Sequence, residues 1–492
     1  MDATRLFILI FLLPVMSALL IPLFKNRPWA LSLSAAAQFL SLLPVLAAVN
    51  MARHAPLYGF GRWLFLDAFS ALHLGALYLT LIPATLFAFA HFKREVEAGQ
   101  ATPRTLHTFA ILWNGAFIAM LLVLLSNNLG LMWVGMEGTT VVTAFLISLK
   151  QSRKSLEAMW KYLILCSVGI AFAFMGVLLT AASAKGLHLP SHDVMLWDVL
   201  YERAAGLNSM LMKAAFLFLL VGYGTKAGLF PMHSWLPDAH SQAPAPVSAL
   251  FSGFMLNTSL YCLLRFLPIT ERATGLSGFA TGLLVLFGLL TILIGAAFIL
   301  FQKDLKRFLA YSSLEHMGLM TLGAGLGGAG LVAALFHMIN HALGKTLAFL
   351  SAGRLAQRAG GADLECLTGI GQREKLWGFA VFAALLALAG AAPFAFFMSK
   401  FQIVKAAFDQ EGGLFALLLL LGTAMVFIGV LRYVIPLFWG EPKEGGEFKP
   451  SVSSVMERVM VVLPLALLLL LGLWMPAPVI AFFQSAAQRI TP

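Results

Sequence analysis

GYGTKAGLFPMHSWLPDAHSQAPAPVSALFSG, residues 222–253, places Lys226 in an apolar run and follows it with Pro231, Pro237, Pro244 and Pro246. Proline removes a backbone donor and stops a helix from continuing. An ammonium group among apolar residues is costly unless it has a partner or a task. The stretch therefore predicts a broken helix with a lysine at the break. What surrounds that break follows from the rest of the chain.

Of the 492 residues, 60% are hydrophobic and 11% charged, against about 25% charged in soluble domains. Mean hydropathy is +0.88. Outward from the quoted stretch lie roughly fourteen apolar runs of about 20 residues, the length a helix needs to cross a bilayer. The expected fold is an all-α polytopic membrane protein. Asp2 and Arg5 precede the first run, and no small-residue cleavage site follows it, so a retained helix is expected. Cys166, Cys262 and Cys366 have neither CxxC nor iron–sulfur spacing, so no redox centre is read in this chain.

The net charge of +11 is a topology signal and not a nucleic-acid footprint. Loops after odd-numbered runs carry most of the basic residues, among them Lys25, Arg27, Lys93, Arg94, Arg104, Lys150, Arg153, Lys154, Lys303, Lys306, Lys443 and Lys449. Loops after even-numbered runs carry fewer: Arg53, Arg62, Lys185, Arg203, Lys213, Arg265 and Arg272. By the positive-inside rule the odd loops are cytoplasmic. Both termini then face the outer, periplasmic side of an inner (cytoplasmic) membrane.

Four charges stand inside apolar runs: Glu137 (LGLMWVGMEGTTVVTAF), Lys226, Glu315 (FLAYSSLEHMGLMTL) and Lys400 (APFAFFMSKFQIVKAAF). Each Glu–Lys pair is 89 or 85 residues apart, and the two pairs are offset by 178 and 174. Five runs separate corresponding members, so the second unit is inverted in the membrane, a transporter arrangement. The expected division is residues 1–104, a first repeat at 105–267, a second at 277–439, and a connector with a last helix at 440–492. Lys400 follows Gly390 and Pro393, so the seventh and twelfth helices are both expected to be discontinuous. Broken backbone at membrane depth is tolerated only against protein or a hydrated cavity. The alternative for each lysine is a snorkelling or structurally paired group.

FHMINHALGK puts His337, His341 and Lys345 on successive turns of one helix. A metal reading lacks a third ligand; a proton-relaying stripe and a pair of packing histidines remain. Lys161, four residues after Glu157, is either half of a solvated pair or an inward-reaching lysine. His233, Asp238 and His240, within the quoted stretch, are further candidates. GAGLGG (323–328) joins two apolar runs with no preceding strand, so it is not a dinucleotide loop. EPKEGGEFKP (441–450) reads as a polar connector.

These motifs resemble the antiporter-like subunits shared by respiratory complex I, Mrp-type cation/proton antiporters and membrane-bound hydrogenases. The likeness runs from LFLDAFSALHL (64–74) to the thirteenth run and is most specific in the quoted stretch. SNNLGLMWVGMEGTTVVTAFLI, SLEAMWKYLILCSVG and LAYSSLEHMGL look most like the F component of hydrogenase-4-type formate hydrogenlyases. The resemblance implies a proton channel in which Glu137, Lys226, His337, His341, Lys345 and Lys400 match the family's relay positions. It implies no cofactor in this chain, with Fe–S clusters and a [NiFe] or flavin centre in partner subunits. The expected partners are other membrane subunits, hydrogenase-like and Fe–S peripheral subunits, and the lipid bilayer. One departure is Asn257, in MLNTSLYCLLRF, where the family often has lysine. Two other readings stay open: a non-pumping membrane anchor of the same complex, and an Mrp-like cation/proton antiporter subunit.

Overall fold

The computed structural model describes residues 3–23, 30–441 and 453–492. Asp2, Lys25, Arg27, Lys443, Lys449 and nearly all of the 441–450 connector lie outside the described residues. The elements run α1 (Ala3–Leu20), α2 (Ala30–Ala52), β1 (Leu57–Gly59), β2 (Leu64–Leu66), α3 (Ala68–Glu97), α4 (Pro103–Leu125), α5 (Leu129–Ile147) and α6 (Arg153–Ser183). Next come α7 (Trp197–Glu202), α8 (Ser209–Ala227), α9 (Leu236–Gln242), α10 (Ala245–Leu250), α11 (Leu256–Ala273), α12 (Phe279–Ile299), α13 (Leu305–Leu326) and α14 (Gly328–Ala359). The chain ends with α15 (Ile370–Arg373), α16 (Lys375–Ala389), α17 (Ala395–Glu411), α18 (Gly413–Trp439), α19 (Val455–Leu473) and α20 (Ala477–Gln488). Among the described residues, 11 helices are long and apolar enough to cross a membrane. Three further long helices, α13, α14 and α17, carry the buried charges and histidines that lower their hydropathy.

The quoted stretch folds as its prolines demand. α8 ends at Ala227, Gly228 takes a left-handed φ of +79°, and Leu229 N–H reaches back to Gly224 O (2.8 Å). Gly390 (φ +91°) ends α16 in the same way, with Ala391 N–H on Leu386 O (3.0 Å). Only glycine takes this conformation cheaply, and the reverse bonds satisfy carbonyls that the broken helix orphans. Pro231 and Pro393 then follow within the two connectors, each after a cis peptide bond. Pro237 and Pro246 sit in the first turns of α9 and α10, where a missing N–H costs nothing. Trp235 Nε1–H caps a freed carbonyl, Thr225 O, at 2.9 Å. Between α10 and α11 the chain makes a π-helical turn, Phe251–Met255.

Two features differ from the sequence reading. A short antiparallel hairpin, β1–β2, precedes α3, with Leu57 opposite Leu66. Arg265, counted above as a loop charge, is 2% exposed and lies within α11. Its guanidinium makes a bidentate pair with Asp67 (2.8 and 2.7 Å) and bonds Ser70 Oγ (2.6 Å). The ring centre of Trp197 lies 4.5 Å from the Arg265 Cζ. Asp67 also caps α3 through Ser70 N–H (2.9 Å), so one carboxylate ties hairpin, α3 and α11 together.

Truncating one partner of a buried ion pair leaves an uncompensated charge, costing about 3–5 kcal/mol. Arg265→Met is therefore expected to lower thermal stability of the detergent-solubilised protein by about that amount. Asp67→Asn combined with Arg265→Met should recover part of the loss. An unchanged melting temperature in the single variant contradicts the clamp.

Candidate functional site

Lys226, at the end of α8, is fully buried and donates to three oxygens of α5: Met136 O (3.0 Å), Thr139 Oγ1 (2.5 Å) and Thr140 Oγ1 (2.5 Å). The Thr139 hydroxyl itself donates to Met136 O (2.7 Å), which leaves its lone pairs for the ammonium group. An ammonium has three donors, and this cradle fills all of them without a counter-ion. Glu137, between Met136 and the threonines, turns to α6, where its Oε1 accepts from Ser167 Oγ (2.9 Å). Its Oε2 is buried with no hydrogen-bond partner.

The sister pair is engaged. Lys400 Nζ lies 3.0 Å from Glu315 Oε1, joining α17 to α13. The same amine faces Ala389 O (3.5 Å), a carbonyl freed by the break after α16. A lateral cavity of about 440 Å³, lined by Gly390, Phe397, Phe401 and Phe427, reaches Lys400.

From Glu315 the polar contacts continue inward. His316 Nδ1 lies 3.4 Å from Glu315 Oε2 and 2.8 Å from His337 Nε2. His337 Nδ1 meets Ser399 Oγ at 2.8 Å. Ser399 donates its hydroxyl to a backbone carbonyl of α17, Phe396 O (3.1 Å). It must therefore accept from His337 Nδ1–H, so His337 Nε2 accepts from His316 Nδ1–H; tautomers are assigned here from the network. That leaves His316 Nε2 as the buried nitrogen without a hydrogen bond. The His341 ring centre is 5.4 Å from that of His316, and both its nitrogens are buried without hydrogen bonds. Lys345 donates to Leu309 O (2.9 Å), two turns along α13 from His316.

So α14 brings His337, His341 and Lys345 against α13, all fully buried. Asn257 donates to Gly253 O (3.0 Å) within the π-helical turn, and its Oδ1 is without a hydrogen bond. Ser252 and Ser313 share a 2.6 Å hydrogen bond that links this turn to α13. The remaining candidates lie apart from the row. Lys161 pairs with Asp238 (2.6 Å) and not with Glu157, and Arg307 completes the triad (2.5 Å to Asp238). His240 stacks on Phe349 (4.9 Å) with neither nitrogen hydrogen-bonded. His233 contacts Phe230 and Phe298 and joins none of the others.

Sequence reasoning missed His316, Ser399 and the threonine cradle. His316 directly follows Glu315 in LAYSSLEHMGL, and that adjacency was the available signal. Thr139 and Thr140 follow Glu137 in the same way.

The chain has known relatives. A hydrogenase-4 component F homolog from Methylacidiphilum infernorum is 36% identical over 403 residues, covering 82% of this chain and 83% of that protein. NADH-quinone oxidoreductase subunit N of Desulforudis audaxviator is 29% identical over 389 residues, covering 78% and 76%. In the solved structure of an archaeal respiratory membrane complex, the membrane-bound sulfane sulfur reductase, one chain matches with a TM-score of 0.86. The match covers 99% of this chain and 98% of that one at 24% identity, a likeness of fold. Residues 126–426, which contain every member of the buried row from Glu137 to Lys400, match the NADH:quinone oxidoreductase/Mrp antiporter transmembrane family. With its many apolar helices, the chain is a multi-pass membrane protein that belongs to this family.

Proposed function

We propose that this chain is the antiporter-like, proton-translocating membrane subunit of a hydrogenase-type or respiratory oxidoreductase complex. The relay is made of Glu137, Lys226, Lys345, His341, His316, His337, Glu315 and Lys400. One observation carries this reading. Two Glu–Lys pairs of matched spacing stand in opposite states, Lys400 engaged with Glu315 and Lys226 held by neutral oxygens. A pair that can be open or closed is a charge-controlled proton switch.

The magnitudes fit. Unit charges 3 Å apart attract by about 5 kcal/mol at an effective dielectric of 20. Moving a proton's charge against 100 mV takes about 2.3 kcal/mol. Protonating the free Nε2 of His316 creates an imidazolium next to Glu315. It then competes with Lys400 for that carboxylate and frees the lysine to lose its proton.

The driving energy comes from electron transfer in hydrogenase-like and Fe–S partner subunits that carry the Fe–S clusters and a [NiFe] or flavin centre, with no cofactor in this chain. The same reading takes fourteen spans in an inner (cytoplasmic) membrane with both termini outside. Residues 105–267 and 277–439 are then inverted repeats, flanked by 1–104 and 440–492. The shared break geometry at Gly228 and Gly390 supports that pairing.

The test is a tagged complex purified in mild detergent and sealed into vesicles. Co-purifying redox subunits and substrate-driven acidification are expected for the wild type. Lys226→Ala should abolish acidification while the complex still assembles. Normal pumping by that variant overturns the channel and favours a membrane anchor, and sodium-dependent transport by the chain without redox partners favours an Mrp-like antiporter.

A double-mutant cycle reads the two states separately. By thermal unfolding, Glu315→Gln with Lys400→Met should couple by about 1.5–3 kcal/mol, the range for charged hydrogen bonds. Glu137→Gln with Lys226→Met should couple more weakly, because Lys226 and Glu137 hydrogen-bond to other groups and not to each other.

A further inference from the structure

A polar cavity of about 260 Å³ lies where α3, α13 and α14 meet the chain after α9. His91, Glu95, Lys150, Lys306, Gln357 and Gly353 are among its lining residues. Glu95 is 3% exposed; its Oε1 pairs with Lys150 (2.5 Å) and His91 (3.1 Å). Its Oε2 and the Nδ1 of His91 are buried without hydrogen-bond partners. A buried carboxylate oxygen in that condition costs about 1–3 kcal/mol unless water or a proton meets it. A cavity of this size takes several waters at about 30 Å³ each. Nothing in the relay described above uses this cluster.

The cavity also points somewhere. Its floor is Gly353 against Ala245, packed so closely that a side chain at 353 would strike the Ala245 methyl. Along α14, Lys345 lies eight residues below that floor, ~12 Å at 1.5 Å per residue. Phe349, halfway, carries the stacked ring of His240. The ring therefore lies beside α14 halfway between Gly353, at the cavity, and Lys345. Lys306 donates to Ala243 O (2.8 Å) at the cavity wall. Ser248 Oγ, in turn, donates to His240 O (2.9 Å). Two buried imidazole nitrogens without hydrogen bonds thus lie beside α14, along the interval between the polar cavity and Lys345.

We infer that Glu95 is the acceptor of a proton entrance that loads Lys345 by way of His240. The Glu95 carboxylate takes a proton from water in the cavity and passes it to one nitrogen of His240. The other nitrogen gives its proton to the Lys345 amine, so one positive charge moves inward and Glu95 is again a carboxylate. The Lys150 ammonium at the mouth repels sodium ions, while protons pass along hydrogen bonds, so the entrance favours protons. This inference rests on the translocating reading above.

The test uses the complete complex in sealed vesicles and measures substrate-driven acidification beside electron transfer. Glu95→Gln is expected to slow acidification at least tenfold, and Glu95→Asp to restore most of it. Acidifying the cavity side by one pH unit should speed Glu95→Gln several-fold, a rescue that a structural defect does not show. Ala356→Cys in a Cys366→Ser background lines the mouth without touching a charge. A membrane-impermeant thiol reagent should block this variant and spare its parent. Wild-type rates in Glu95→Gln, or no block at Ala356→Cys, overturn the entrance alone. A wild-type complex that does not pump overturns the parent reading, and the entrance with it.

Discussion

A lysine ammonium kept from bulk water needs oxygen acceptors, and the architecture is arranged around meeting that need twice. At Lys226 the acceptors are two threonine hydroxyls and a carbonyl of α5. At Lys400 they are a carboxylate and a carbonyl left free where α16 stops at Ala389. Breaking a helix is expensive in an apolar medium, yet the break supplies polar groups at membrane depth. The glycines at 228 and 390, the reverse hydrogen bonds and the following prolines make each break stable. The lysine then gives the exposed backbone something to hold.

The two solutions differ in what they commit to. A cradle of neutral oxygens tolerates the amine and the ammonium alike, whereas a carboxylate strongly prefers the ammonium. Glu137 lies on the same helix as the cradle, within one turn, without closing on Lys226. Glu315 has closed on Lys400, with His316 Nδ1 3.4 Å from its other oxygen. Buried carboxylate oxygens without hydrogen bonds at both Glu137 and Glu315 show that neither arrangement exhausts its own polar capacity.

Much of this was legible in the sequence, because isolated charges in apolar runs are rare and glycine–proline pairs mark breaks. Glu315, Lys400, Lys226 and the His337–His341–Lys345 stripe could be found from spacing alone. What was not legible depends on packing between distant segments. His316 matters through His337, which belongs to another helix. Ser399 matters because it sets the tautomer of His337. The hairpin before α3 is short enough to look like an ordinary loop. Arg265 looked like a topology charge, since its partner Asp67 lies 198 residues away. Lys161 had its helical neighbour in view but pairs with Asp238, which only the fold of α9 brings within reach.

The Asp67–Arg265 clamp also divides the molecule into unlike ends. α3 begins at the clamp and carries Glu95 in its last turn, ~42 Å away at 1.5 Å per residue. One end is stapled by a bidentate ion pair among aromatic rings; the other holds the polar cavity. α3 is thus anchored by a wholly buried ion pair at one end and, at the other, by a Glu95–Lys150 pair whose lysine reaches the surface.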